Sequence, residues 1–73
     1  MTHDPVLADI LRARLDITTE LDASPELSLL DRARLRLALV AILSDLDRGA
    51  ATRADTADAL ERLRREVFTR VPA

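Results

Sequence analysis

His3 is the lone histidine of the chain, and it sits where a histidine can do chemistry. Third from a free amino terminus, an imidazole can join backbone nitrogens in a square-planar Cu(II) or Ni(II) site. Thr2 favours removal of the initiator methionine, however, which shifts the histidine to second place and destroys that arrangement. A solvated, frayed terminus is therefore the expectation for His3. Cysteine is absent, so the commonest zinc ligand and every disulfide are absent with it. The side chains define no metal, redox or cofactor site, and the expectation is a protein without cofactor or catalytic residues.

The remaining reactive inventory is arginine and carboxylate. Arg14 falls on the apolar face of the first helical segment, between Leu7, Leu11 and Leu21, where a charge needs a partner. A hairpin turning near Ser24 brings it within about a turn of Asp31, and a register-fixing Arg14–Asp31 ion pair is expected, with Arg14 snorkelling to solvent or facing a ligand or partner acid as the alternatives. Arg32 and Arg36, one turn apart, could grip an anion but fit better as the polar rim of an interface. Asp45 and Asp47 lie in "SDLDRG", residues 44–49, which resembles a calcium loop in its first acidic pair only. The third acid, the glycine position and the closing Glu do not fit, and pairing with Arg48 or Arg53 is expected instead.

Charge composition narrows the partners. Net charge is −2, so no strongly basic field draws the chain to nucleic acid or anionic lipid. All eleven basic residues are Arg, the bacterial-like composition of a GC-rich genome. Residues 1–24 carry −3, residues 25–48 are neutral and residues 49–73 carry +1, so the first segment is the acidic one. No basic start followed by an apolar core marks an export signal, and the apolar run at 35–43 is far shorter than the ~20 residues of a membrane span. A cytoplasmic protein is expected, with no membrane contact.

The elements that must carry these residues are three helices in a single helical domain, 1–73. Asp4 caps the first, with Pro5 at its first position, and it runs over about 5–22. Ser24-Pro25 opens the second by the same logic, or Ser28 one turn later with Asp31 three residues on; taken over 25–48, it closes at Gly49. Thr52 with Asp55 resembles a capping box for a third helix over 53–70. The fold class is all-α, a three-helix bundle or a helical hairpin plus a third helix.

At 100° per residue the outer helices sort into faces. The first gathers Val6, Ile10, Ala13, Ile17 and Leu21 beside Leu7 and Leu11. The third gathers Leu60, Leu63, Val67, Phe68 and Val71, and places Asp58/Arg62, Glu61/Arg65 and Glu66/Arg70 on a solvated face as acid-before-base pairs. The second helix is apolar nearly all round. Leu35, Leu39, Ile42 and Leu46 form one stripe; Leu30, Ala33, Leu37 and Ala41 form another; Leu29, Val40 and Leu43 form a third. Two intrachain neighbours are expected to cover the first two stripes, leaving the third for a partner.

"LRARLDITTEL", residues 11–21, resembles the first helix of the small all-helical chorismate mutases, and "LLDRARLRLALV", residues 29–40, resembles its continuation. The resemblance covers about a third of the chain and implies, as a remote alternative, an enzyme of that kind. Pro25 interrupts what is one long helix in that family. The lysine such sites use for the substrate's carboxylate and ether oxygen has no counterpart in a chain without lysine.

The leading expectation is a small non-catalytic protein-protein interaction module, a homodimer, adaptor or accessory subunit. Its interface residues are Leu29, Arg32, Arg36, Val40 and Leu43, and a two-fold homodimer is the simplest assembly. The alternative is a small helical regulator that binds nucleic acid or another anion through Arg32, Arg36 and the cluster from Arg62 to Arg65.

Overall fold

In the computed structural model, which describes residues 4–69, cap chemistry sets where each helix begins. Asp4 accepts hydrogen bonds from the Val6 and Leu7 N–H groups at 3.1 and 3.2 Å, and Pro5 opens α1, Pro5–Ala23. The Ser28 hydroxyl accepts from the Asp31 N–H at 3.1 Å and starts α2, Leu29–Asp47. Thr52 does the same for Asp55 at 3.0 Å and starts α3, Arg53–Phe68. Each cap satisfies backbone donors that have no partner inside the helix.

The second helix thus begins at residue 29, not at 25. Ser24 is occupied otherwise: its N–H donates to the Glu20 carbonyl at 3.0 Å, closing α1, and its own carbonyl accepts from the Leu27 N–H at 3.4 Å. Pro25 and Glu26 therefore lie in a turn, with Leu27 buried beneath it. α2 ends in a Schellman motif. Gly49, at φ 77°, lets its N–H reach the Leu46 carbonyl at 3.2 Å and the Ala50 N–H reach that of Asp45 at 2.8 Å.

Ion pairs between helices give their directions. Asp4 pairs with Arg53 and Asp16 with Arg64, so α1 and α3 run parallel, side by side. Asp22 pairs with Arg36, and Glu66 lies 3.9 Å from Arg34, so α2 runs antiparallel to both. α1 and α3 make the closest packing; α2 lies mainly on α3 and touches α1 least. The described residues thus form three helices with no strand, in packing compatible with a three-helix bundle.

The core takes one stripe from each helix. Ile10, Ala13, Ile17 and Leu21 come from α1, Leu35 and Leu39 from α2, and Leu60, Leu63 and Val67 from α3, with Ile42, Leu43 and Leu46 packed at its margin. Thr56 is buried among them because its hydroxyl returns to the Thr52 carbonyl at 2.8 Å. Every fully buried side-chain nitrogen and oxygen among the described residues has a hydrogen-bond partner.

The stripe of Leu30, Ala33, Leu37 and Ala41 is exposed, contrary to the expectation that a neighbour covers it. The reason is geometric. Because α1 and α3 pack on each other, both neighbours of α2 lie on the same side of it, and only one of its faces can point inward. Phe68 also departs from the expected core: it is half exposed, with the Arg64 guanidinium 5.3 Å above its ring. His3, Arg70 and Val71 lie outside the described residues.

Candidate functional site

Eight large apolar side chains are exposed among the described residues, and seven of them lie on α1 and α2. Leu29, Leu30, Leu37 and Val40 of α2 are 85%, 79%, 69% and 60% exposed. Together with exposed Ala33, Ala41 and Ser44 they cover an arc of about 120° from residue 29 to residue 44 without a charge. Leu7, Leu11 and Leu15 of α1 add a second exposed apolar line, and the surface at Leu11, Leu15 and Thr18 is slightly concave. Leu30, Ala33, Leu37, Val40 and Ser44 are spaced three, four, three and four residues apart. That spacing is the signature of a helix seam, and here it faces outward.

The expected interface residues divide. Leu29 and Val40 lie on the exposed arc, whereas Leu43 is partly buried and packs against the core. Arg32 and Arg36 serve the end of α1. The Arg32 guanidinium donates to the Ser24 carbonyl at 2.9 Å and reaches the Leu27 carbonyl at 3.5 Å. It thereby supplies the positive charge favoured at a helix C-terminus. Arg36 pairs with Asp22. Both arginines hold the α1–α2 corner together.

Arg14 and Asp31 are not brought together. Arg14 is exposed beside Leu11, Leu15 and Thr18, and it forms no ion pair among the described residues. Asp31 lies 3.9 Å from Arg34. α1 and α2 touch too little for the expected pair, and Arg14 extends its charge to solvent from an apolar surface.

The acid-base pairs expected on α3 also rearrange. Glu61 meets Arg64, three residues on, at 3.6 Å; Arg64 also meets Asp16 of α1 at 3.2 Å; and Glu66 turns to Arg34. Arg62 donates to the Asp58 backbone carbonyl at 3.4 Å. Asp45 pairs locally with Arg48 at 2.6 Å, as its position in the last turn of α2 leads one to expect. Asp47 is exposed and has no ion-pair partner among the described residues.

An open groove of about 430 Å³ runs between α1 and α3, lined by Asp9, Asp16, Asp58 and Glu61 with Arg12 and Arg64 among them. Arg64 bridges two of the acids. Among the described residues no group of three His, Cys, Asp or Glu is arranged to hold a metal ion. The acidity of Asp4 is distinctly shifted. The Leu7 N–H, then the Arg53 charge and the Val6 N–H, hold its carboxyl below the ordinary value, against a smaller opposing effect of burial. These contacts are those of a helix cap, and nothing in them positions a reacting group. No helix among the described residues is long and apolar enough to cross a membrane.

Sequence reasoning missed the central part of this surface, Leu30 and Leu37. The three-four spacing was available in the sequence, but a helix apolar on every side hides which of its stripes faces out. No protein-family model, curated protein or solved structure matches the chain.

Proposed function

We propose that the protein is a non-catalytic association module, and that the exposed apolar arc of α2, extended by Leu11 and Leu15 of α1, is its working surface. The observation that supports this reading is four large aliphatic side chains, each at least three-fifths exposed, in unbroken succession on one helix face. Scattered exposed leucines are ordinary on a soluble protein, whereas a contiguous strip marks a contact surface. Fully burying one such side chain is favourable by about 1.5–3 kcal/mol. Four on each of two partners give a gross gain of at most roughly 12–24 kcal/mol, set against about 4–15 kcal/mol for lost freedom on association. A surplus of that size suits a reversible complex.

Anion or nucleic-acid binding is the weaker reading, because Arg32 and Arg36 are engaged at the α1–α2 corner, which leaves Arg62 and Arg65 as the exposed members of the arginine set expected for it that form no ion pair among the described residues. A chorismate-mutase-like activity is weaker still. The turn at residues 24–28 separates the two segments that resemble one long helix, and the lysine is missing.

Val40→Asp tests the proposal. The substitution falls on an exposed position, so the helical content and folding of the isolated chain are retained while association is lost, and association by the native chain persists at high salt. Phosphate contacts would instead weaken steeply as salt rises. A folded Val40→Asp protein that associates as the native chain does overturns the proposal.

A further inference from the structure

We infer that the occupant of the α2 surface is a second copy of the chain, with the two α2 helices antiparallel across a two-fold axis midway between Leu37 and Val40. The inference rests on the association surface proposed above and identifies its partner.

The seam is self-complementary about that midpoint. Turning a second α2 end for end places Leu37 opposite Val40 of the copy, Ala33 opposite Ser44, and Leu30 level with Asp47. Large residues meet at the centre, and small ones flank them. Ala33 and Ser44 let the backbones approach, so that the central leucines and valines interlock. A two-fold interface requires this kind of matching, because the same patch serves both sides.

Charge selects the antiparallel direction. The first half of α2 carries Asp31, Arg32, Arg34 and Arg36, and the last turns carry Asp45, Asp47 and Arg48. A parallel pair would place the basic halves together, whereas an antiparallel pair sets the basic half of each helix against the acidic end of the other. Asp47 makes the case most directly. It is exposed, has no ion-pair partner among the described residues, and stands at the C-terminal end of its own helix, where the helix dipole disfavours an acid. In the antiparallel pair the same carboxylate lies against the first turn of the copy's α2. That helix start presents backbone N–H groups and the positive end of the helix dipole. One two-fold rotation thus converts a misplaced charge into a well-placed one at both ends of the seam.

Because the chain has no cysteine, engineered thiols report the arrangement without interference. Ala33→Cys and Ser44→Cys variants are purified separately, then oxidised alone and as an equal mixture. Residues 33 and 44 of the two chains stand at the same level, within disulfide reach, whereas two copies of residue 33 are separated by about 16 Å along the seam. The mixture is therefore expected to cross-link several-fold more than either variant alone. Strong self-linking of Ala33→Cys indicates a parallel pair and overturns the antiparallel seam, while leaving the α2 surface as the contact. A native chain that sediments as a monomer and yields no links in any tube overturns the second copy as occupant. A folded Val40→Asp protein that associates as the native chain does is the separate result that overturns the α2 surface itself.

Discussion

Arg64 Nε lies 3.2 Å from the Asp16 carboxylate, joining residues 48 apart in sequence and fixing α3 parallel to α1. The same guanidinium covers the Phe68 ring and approaches Glu61. Both members of the pair are more than a third exposed, so screening limits the interaction. A double-mutant cycle of Asp16→Ala and Arg64→Ala in urea should give a coupling of about 0.2–1 kcal/mol that shrinks in high salt. A coupling unaffected by salt would contradict a solvent-screened pair.

Leu60 is fully buried and Leu37 is largely exposed, although both are leucines within helices. Leu60→Ala should cost about 2–5 kcal/mol of stability. Measured at dilution, where self-association is absent, Leu37→Ala should stay within about 0.5 kcal/mol of the native chain. Equal losses would mean that the Leu37 stripe is covered within one chain.

Gly49 adopts φ 77°, and nothing lies within 4 Å of where a Cβ would stand. Replacement therefore meets no neighbour, and only the backbone resists it. Gly49→Ala should destabilise by about 1–2 kcal/mol, and Gly49→Asn by less, since Asn tolerates the left-handed region. Thermal melts of the three proteins check the order.

The Asp4 carboxyl is held below its ordinary pKa by the Leu7 N–H first, with Arg53 and the Val6 N–H adding to it. The folded state therefore binds this proton less readily than the unfolded chain does. The stabilisation is present above the ordinary carboxylate range near 3.8 and is lost as pH falls through and below it. Asp4→Asn keeps an N-cap acceptor but cannot titrate there. Its melting temperature should fall less than that of the native chain on acidification, and a parallel fall would remove Asp4 from the account.

What the sequence made legible followed the range of the forces involved. The caps at Asp4, Ser28 and Thr52 and the closure at Gly49 are local chemistry, so they could be read from neighbouring residues, although Ser24-Pro25 competed with Ser28 for the start of α2. The buried face of α1, Ile10, Ala13, Ile17 and Leu21, emerged from periodicity because these residues recur at intervals of three and four. α2 offered no such contrast. Which of its stripes turns inward depends on α1 and α3 packing together, a decision made between helices and invisible in any one of them. The same distance from local pattern explains Arg14: only the divergence of α1 from α2 leaves it at the surface rather than beside Asp31.

The central claim is that the outward face of α2 is a contact surface, and self-association is its most specific form. Sedimentation equilibrium of the native chain and of Leu37→Asp, with circular dichroism on the same samples, tests it most directly. An unpaired carboxylate at the centre of a dry seam is costly, whereas at an exposed position it is nearly harmless. The native chain should therefore pass from monomer to dimer across the micromolar range. Leu37→Asp should remain monomeric with unchanged helical content. A native chain that stays monomeric throughout would contradict self-association, and a Leu37→Asp protein that dimerises as strongly as the native one would contradict the α2 face as the contact surface.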